Sequence, residues 1–275
     1  RSNEPLSLDV RNNGSKKRKE FLWNKSDWIS NWRCSKLGLI PDIIAHRGSS
    51  KEAPENTISA IDLSWKNLSD GVEIDIRSTK DNVLLCLHDR SLLRTAALDK
   101  KLKDLKYDEI KNVDVGTWFN SKWSKETPPT LERVFRHVLE GKKIFIEVKE
   151  EGLTDNLIRE INNSSMDNDH IRIISFYESV VREVKQKTNL KTNLLVSFTQ
   201  QNISLNLLKE KLVQLKADGV GAENHKFLNQ EFVNEMRGID KETHVWTVDD
   251  PSEAHKYKKM GVSSITTNDP KKIKE

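Results

Sequence analysis

The sequence predicts an α/β fold, a parallel (β/α)8 barrel with a small insertion after the second strand and its hairpin return. Two observations support this fold class. From Pro41 onward, short apolar runs of strand length alternate with longer segments of helical period, a pattern typical of βα units around a parallel sheet. Eight strand candidates can be found in 275 residues, and a single barrel of this type needs about 250.

The eight strands are expected at residues 43–45, 72–76, 144–148, 171–175, 193–197, 219–222, 243–248 and 263–266. Helices are expected between them, among others at residues 57–68, 131–140, 154–162, 179–187, 230–237 and 252–259. Asn56 and Asp250 stand where helix-capping residues belong. Eight such units would close a barrel.

One interval departs from the βα pattern. Residues 83–87 follow the second strand too closely for a crossover helix, so we expect them to return antiparallel in a hairpin. A two-residue turn at 81–82 would pair Lys80 with Val83 and place Asp75 opposite His88. Residues from about 89 to 128 then lack a βα pattern and are expected to form a small insertion over the barrel mouth.

Residues 1–40 differ in composition from the rest and are expected to form an N-terminal extension to a barrel domain spanning residues 41–275. The segment carries a basic run at residues 16–19 and several tryptophans. Trp28 and Trp32 are four residues apart and would share one face of a short helix. That face could pack against an end of the barrel or lie at a lipid interface.

Composition excludes some classes of protein. The net charge of +4 arises from 46 basic and 42 acidic residues, so nucleic acid is not expected as a partner. No apolar stretch approaches the roughly 18 residues of a membrane span. Two cysteines do not make a disulfide framework. Because the chain begins at Arg1, a leader could have preceded it, and the compartment is left open between cytoplasm, periplasm and secretion.

Polar residues gather at the ends of the first three predicted strands and of the hairpin return, where barrels carry their catalytic groups. Glu73 and Asp75 are two residues apart on one strand, so both side chains point to the same face. Glu147 and Lys149 repeat that spacing on a neighbouring strand. The other strand-end groups are His46, Arg47 and His88.

Carboxylates that face one barrel interior repel each other and lose hydration, so their ionised forms need a compensating cation. Three oxygen ligands from Glu73, Asp75 and Glu147 suit one hard divalent cation, Mg²⁺ or Ca²⁺, better than zinc. The alternative is that these carboxylates form salt bridges with Arg47 and Lys149. Spacing along the chain leaves both explanations open.

Two histidines near such a site suggest an acid and a base for phosphoryl chemistry, and His46 and His88 are the candidates. Arg47 would hold the phosphate by forked hydrogen bonds and Lys149 would act as a point charge. The remaining histidines singled out by position are expected to be structural: His137, His170, His225 and His244.

Nine short motifs follow one another over about residues 41–270. They are Ala45-His46-Arg47-Gly48, Pro54-Glu55-Asn56-Thr57, Val72-Glu73-Ile74-Asp75, Leu87-His88-Asp89, Arg94-Thr95, Pro129-Thr130-Leu131, Ile146-Glu147-Val148-Lys149, Val245-Trp246-Thr247-Val248 and Thr266-Thr267-Asn268-Asp269-Pro270. In these motifs and in their order the chain resembles the glycerophosphodiester phosphodiesterase family.

The resemblance implies a TIM barrel with a small insertion that cleaves small-molecule glycerophosphodiesters, such as glycerophosphocholine or glycerophosphoethanolamine, to sn-glycerol 3-phosphate and an alcohol. It implies a divalent ion on Glu73, Asp75 and Glu147, with His46 and His88 as acid and base. Arg47 and Lys149 resemble phosphate ligands. Trp246 resembles a wall beside the glycerol, although a buried barrel tryptophan would look the same.

Several alternatives stay open. Glu55 and Asn56 match a family motif but could simply order the first loop and cap its helix. The nucleophile could be water or a neighbouring hydroxyl of the substrate. A related enzyme, such as a lysophospholipase D or a sphingomyelinase D, would act at a membrane surface, with the N-terminal extension making transient membrane contact. A barrel that binds phosphorylated ligands without catalysis is the rival from another class.

Overall fold

The computed structural model describes residues 40–274, and within them the chain forms a closed barrel of eight parallel strands. In chain order the strands are β1 (Asp42–His46), β2 (Gly71–Ser78), β3 (Leu84–Cys86), β4 (Ser91–Leu92), β5 (Leu98–Lys101), β6 (Lys143–Val148), β7 (Ile171–Ser175), β8 (Lys191–Val196), β9 (Gly219–Glu223), β10 (Glu242–Trp246) and β11 (Ser264–Thr267). Strands β1, β2 and β6 to β11 are the eight parallel strands of the barrel, and β3 to β5 lie outside it. Strand β1 pairs with both β2 and β11, which closes the barrel. The predicted fold is confirmed, and the eight predicted strands differ from the observed ones by at most two residues at either end.

The helices are α1 (Ile58–Lys66), α2 (Leu93–Ala96), α3 (Tyr107–Ile110), α4 (Leu131–Phe135), α5 (Thr154–Asn163), α6 (Glu178–Lys187), α7 (Leu205–Gln214), α8 (Gln230–Gly238), α9 (Pro251–Met260) and α10 (Pro270–Lys274). The helix predicted at residues 131–140 is wrong in extent. It stops at Phe135 because the backbone tightens there, with His137 N donating to Val134 O and Val138 N donating to Phe135 O, three residues back.

Capping of the first helix also differs from the prediction. Thr57, not Asn56, caps α1, because its hydroxyl accepts from Ala60 N at 3.3 Å. Asp250 caps α9 as predicted and accepts from Ser252 N and Glu253 N. Asn56 is thereby free to make other contacts, which matter for the site below.

The hairpin return exists, but its predicted register is wrong by one residue. Strand β3 runs antiparallel to β2 and pairs Ile76 with Cys86, so Asp75 lies opposite Leu87 rather than His88. The cause is a three-residue turn, because Thr79 N donates to Val83 O at 3.0 Å. A left-handed Asn82, with φ of 62°, makes that longer turn accessible.

The residues after the hairpin form a compact unit with an apolar cluster of its own. It contains the two-stranded sheet of β4 and β5, the short helices α2 and α3, and 3₁₀ turns at Leu102–Asp104 and Ser121–Trp123. Its apolar cluster joins Leu85 and Leu87 of the hairpin return to Leu92, Leu102, Leu105, Ile110 and Val115. The hydroxyl of Ser59 on α1 donates to Glu126, which ties the far end of this insertion to the barrel.

The interior of the barrel is apolar in its middle and polar toward the N-terminal ends of the strands. Ile44, Phe145, Ile174 and Leu195 form the central cluster. Below them, Arg172 pairs with Glu242 at 2.6 Å, and the buried His244 lies 3.1 Å from the same carboxylate. This network forms the barrel floor, and among residues 40–274 the site cavity lies toward the C-terminal ends of the strands.

The predictions for residues 1–39, including the shared face of Trp28 and Trp32, fall outside the part of the chain that the structure describes. Between residues 40 and 274, no helix has both the length and the apolar character that crossing a membrane requires.

Candidate active site

Three carboxylates meet at the mouth of the barrel. Glu73 and Asp75 project from β2, and Glu147 projects from β6, where the parallel register sets it beside Asp75. One oxygen from each carboxylate lies within 4.8 Å of the others. Their exposed fractions are only 2%, 1% and 9%, so three acidic groups share one buried space.

The charge of this triad is only partly balanced by protein groups. Burial raises the pKa of Glu73 well above its usual range, and the charges of Asp75 and Glu147 raise it further. Burial, with Asp75, raises the pKa of Glu147 to about 7. Burial also acts to raise the pKa of Asp75, but the charges of Arg47 and Lys149 outweigh it and lower that pKa to about 2.

Arg47 and Lys149 make the ion pairs that the salt-bridge explanation of the triad predicts. Arg47 Nε lies 3.2 Å from Asp75 Oδ2, and Lys149 Nζ lies 2.6 Å from Glu147 Oε1. Yet Glu73 Oε1 and Asp75 Oδ1 are buried and accept no hydrogen bond from any described residue. A divalent cation would satisfy both oxygens and the surplus negative charge, so this set of donors fits a hard metal ion.

The turn after β1 aims Arg47 at the triad. Arg47 and Gly48 both have left-handed backbones, with φ of 56° and 78°, and this turn lets Arg47 N donate to Glu73 Oε2 at 3.0 Å. A Cβ on residue 48 would lie 2.5 Å from the carbonyl carbon of Ala60. Only glycine therefore allows the turn to pack against α1.

The orientation of His46 is fixed by Asn268, which is 222 residues away in sequence. His46 Nδ1 lies 2.7 Å from Asn268 Oδ1. The amide of Asn268 cannot be reversed without loss, because its Nδ2 donates to Asp249 Oδ2 at 2.7 Å. Nδ1 of His46 therefore carries the proton, and Nε2, which lies 3.9 Å from Glu73 Oε2, is left free. Burial and the charge of Arg47 lower the pKa of His46 to about 4.

His88 is oriented by a carboxylate instead of an amide. Its Nδ1 donates to Asp89 Oδ1 at 2.7 Å, which leaves Nε2 available on the cavity side. Burial lowers the pKa of His88, while the charge of Asp75 and the bond to Asp89 oppose that shift. An adjacent carboxylate stabilises an imidazolium, so the surroundings of the two histidines differ in kind.

Arg94, on α2 of the insertion, links the two sides of the site. Its Nε donates to Asp89 Oδ2 at 2.6 Å, and its Nη1 and Nη2 donate to both oxygens of Glu55 at 2.8 and 2.7 Å. Glu55 in turn accepts from Arg47 Nη1 at 2.9 Å. A continuous chain of ion pairs thus runs from the partner of His88 to Arg47.

Asn56 is a site residue that sequence reasoning assigned to capping. It is buried, its Nδ2 donates to Asp75 Oδ2 at 2.8 Å, and its Oδ1 accepts from Asp75 N at 3.0 Å. It therefore clamps one predicted metal ligand from both sides. The motif of residues 54–57 was the only sequence signal for this role, and that signal does not distinguish a clamp from a cap.

The predicted site residues line one cavity of about 450 Å³, except Asp75, which lies behind its wall. Trp246 forms part of the wall, where its Nε1 donates to Gly221 O at 2.9 Å and its ring meets Phe176 edge to face at 5.7 Å. Of the four histidines expected to be structural, His244 also lines this cavity, where it is buried with its Nδ1 2.7 Å from Ser264 Oγ.

The fold and the site define a barrel with an acidic, metal-compatible centre, two oriented histidines and two cations suited to a phosphate. Comparison with known proteins names the class. The profile of the glycerophosphoryl diester phosphodiesterase family matches residues 46–272. The chain belongs to this family and is an enzyme of its class, which confirms the resemblance found in the sequence.

A glycerophosphodiester phosphodiesterase of Caldanaerobacter subterraneus subsp. tengcongensis is 32% identical over 241 residues, which span 84% of this chain and 95% of that protein. One from Bacillus subtilis is 31% identical and covers 84% of this chain and 86% of its own length. Among solved structures, an Oleispira antarctica phosphodiesterase in complex with sn-glycerol-3-phosphate superposes with a TM-score of 0.79. It is 25% identical and covers 86% of this chain and 97% of its own.

Proposed function

We propose that the chain hydrolyses glycerophosphodiesters, such as glycerophosphocholine or glycerophosphoethanolamine, to sn-glycerol 3-phosphate and an alcohol. The observation that carries this proposal is the meeting of the acidic triad with His46 and His88 at one cavity. The product bound to the Oleispira antarctica relative supports the glycerol 3-phosphate half of the substrate.

Glu73, Asp75 and Glu147 would hold one divalent cation, Mg²⁺ or Ca²⁺. When bound, the cation would offset negative charge on the phosphoryl oxygens during displacement. Arg47 and Lys149 stand on either side of the triad and would hold the same phosphate, Arg47 with directed hydrogen bonds and Lys149 as a point charge.

The two histidines divide the proton transfers. His46, with its proton on Nδ1 and bonded to a neutral amide, accepts the proton of the attacking hydroxyl at Nε2. His88, whose imidazolium Asp89 stabilises, donates from Nε2 to the leaving oxygen. If water attacks, one phosphorus–oxygen bond forms and one breaks. If the neighbouring hydroxyl of the substrate attacks, the same exchange releases the alcohol and leaves a cyclic phosphate, which water opens in a second exchange. Either route consumes one water for each alcohol released.

The test is release of glycerol 3-phosphate from glycerophosphocholine and glycerophosphoethanolamine, measured in a coupled assay. We expect release that EDTA abolishes and that Mg²⁺ or Ca²⁺ restores. The matched variant is Glu73→Gln, which keeps the size of the side chain and removes a ligand charge. It should fold normally and fail to gain thermal stability when the restoring ion is added. No release with any divalent ion, from folded protein, would refute the proposal.

A further inference from the structure

We infer that Arg77 and Arg90 form a subsite for an anionic group, a carboxylate or a phosphate, on the alcohol that leaves. The inference deepens the proposed function and rests on it. It concerns the preference of the site among different glycerophosphodiesters. The acidic triad and the two histidines do not determine that preference.

The first observation is the position of Arg77. It lies on β2 two residues beyond Asp75, is only 6% exposed and lines the same cavity. Its Nε donates to the backbone carbonyl of His88 at 2.9 Å. If His88 protonates the leaving oxygen, the alcohol must lie beside His88, and Arg77 is already in contact with that side of the site.

The second observation is that the charge of Arg77 is weakly matched. Its nearest carboxylate, Glu150, lies 3.5 Å from Nη1 and is itself partly exposed. The other oxygen of Glu150 accepts from Ser78 N at 2.8 Å. Its other Nη1 contact, to the carbonyl of Lys149, is equally long at 3.5 Å. A buried guanidinium held by such long contacts would be stabilised by an anion.

Arg90 adds a second cation at the same edge. It follows His88 and Asp89 directly, is exposed, lines the cavity and has no ion-pair partner within residues 40–274. Its backbone is held, because its carbonyl accepts from Leu102 N at 2.9 Å. A fixed backbone and a free guanidinium suit an arginine that binds ligand.

The nearest carboxylates of the site contact other cations. Arg47 and Lys149 each have a carboxylate within 3 Å, namely Glu55 and Glu147, which leaves Arg90 without an ion pair and Arg77 with only the long contact to Glu150. Aromatic side chains at Phe176, Tyr177 and Trp246 could instead surround a trimethylammonium group. An unpaired Arg90 and a loosely paired Arg77 beside the leaving group would repel such a cation, so the local charge favours an anion.

The experiment compares four glycerophosphodiesters that share the glycerol 3-phosphate half. One alcohol is cationic (choline) and one is neutral (glycerol). The other two are anionic, 3-hydroxypropionate through a carboxylate and 3-hydroxypropyl phosphate through a phosphate. For each we would measure kcat/KM for glycerol 3-phosphate release by the full chain, by Arg90→Glu and by the control Lys100→Glu. Lys100 is an exposed residue of β5 outside the cavity, so its reversal changes net charge equally.

We expect the unaltered chain to prefer the anionic alcohols, and the two anionic arms tell a carboxylate from a phosphate. Arg90→Glu should reduce the ratio of anionic to choline kcat/KM by about tenfold or more, and Lys100→Glu should leave that ratio unchanged. Preference for choline, or an equal effect of Arg90→Glu on all four diesters, overturns the subsite alone. No release from any diester by folded protein overturns the proposed function and the subsite with it.

Discussion

At the scale of single residues, the chemistry of the site depends on what each histidine is bonded to. His46 is hydrogen-bonded to the amide of Asn268, which Asp249 holds in one orientation. His88 is hydrogen-bonded to the carboxylate of Asp89, which Arg94 holds in place. Both imidazoles carry their proton on Nδ1 and present Nε2 to the cavity. The difference between a neutral and a charged partner is the basis on which we propose His46 as the base and His88 as the acid.

This assignment predicts different responses to the leaving group. His46→Ala and His88→Ala should each lower kcat for glycerophosphocholine by about 10² to 10⁴-fold while folding normally. A p-nitrophenyl diester of glycerol phosphate needs no proton for its leaving group, so it should restore most activity to His88→Ala and little to His46→Ala. Steady-state kinetics with both substrates makes the comparison. The reverse pattern of rescue would exchange the two roles.

Arg94 should act as a positioning residue, because it holds Glu55 and Asp89 at the same time. Arg94→Lys keeps the charge but cannot bond both carboxylates. We expect kcat to fall about tenfold with a smaller change in KM, because Arg47 and His88 lose their alignment while the cavity keeps its shape. Lys111→Ala, which removes a surface ion pair of the same insertion, is the control. An unchanged kcat in Arg94→Lys would show that the bridge does not affect turnover.

At the scale of elements, the loop between β1 and α1 positions as many residues of the site as strand β2 does. It supplies Arg47, Glu55 and Asn56, and it packs on α1 through Gly48, with Ser49 N donating to Ala60 O at 2.9 Å. The loop can approach the helix so closely because residue 48 has no side chain. The geometry of the triad therefore depends on a backbone contact.

Gly48→Ala tests that dependence. The added methyl group would collide with Ala60, so the free energy of unfolding should fall by at least about 2 kcal/mol and affinity for the divalent ion should weaken. Gly141→Ala is a matched control, because Gly141 has nearly the same φ, 74°, and nothing within 4 Å of the added atom. It should cost only about 1 kcal/mol. Equal losses in both variants, measured by urea unfolding, would exclude the packing explanation.

At the scale of the whole molecule, the two ends of the barrel differ in character. Arg172, Glu242 and His244 form an ion-paired floor at one end, and the site cavity lies toward the end where the insertion stands. Burial and the charge of Arg172 lower the pKa of His244 from 6.5 to about 4. Burial acts to raise the pKa of Glu242, but its bond to His244 and the charge of Arg172 lower it to about 2.

The floor makes the barrel sensitive to acid. An unfolded histidine binds a proton below about pH 6.5, whereas folded His244 binds one only near pH 4, so the unfolded state gains protons first. The contribution of His244 to the free energy of unfolding should therefore fall by about 3 kcal/mol between pH 7 and pH 4. Glu242 adds a further loss below its usual pKa of 4.5, continuing to about pH 2. Both groups therefore lower the free energy of unfolding as the pH falls.

The measurement is urea unfolding as a function of pH. His244→Gln should flatten the decrease between pH 6.5 and 4, relative to the unaltered chain. His137→Gln, at a half-exposed histidine on the outer surface, reports any general effect of removing an imidazole. A profile for His244→Gln as steep as that of the unaltered chain would rule out this histidine as the source.

The sequence by itself determined the barrel, its eight strands, and which residues stand at the strand ends. These follow from local periodicity, because a strand buried on both faces and the helix after it each leave a pattern within about ten residues. The side-by-side position of Glu73 and Asp75 is equally local, since residues two apart on a strand share a face. The family motifs added the expected roles of these residues.

Only the tertiary structure decided which distant partners orient those residues. The clamp of Asn56 on Asp75, the bond of Asn268 to His46 and the bridge of Arg94 join segments 19 to 222 residues apart, and no local pattern encodes such contacts. The hairpin register was misjudged for a related reason. Two-residue and three-residue turns differ little in sequence, and the bonds made by Thr79 select the longer one. The position of Arg77 and Arg90 at one cavity is likewise a tertiary feature, because it depends on how the strands and the insertion come together.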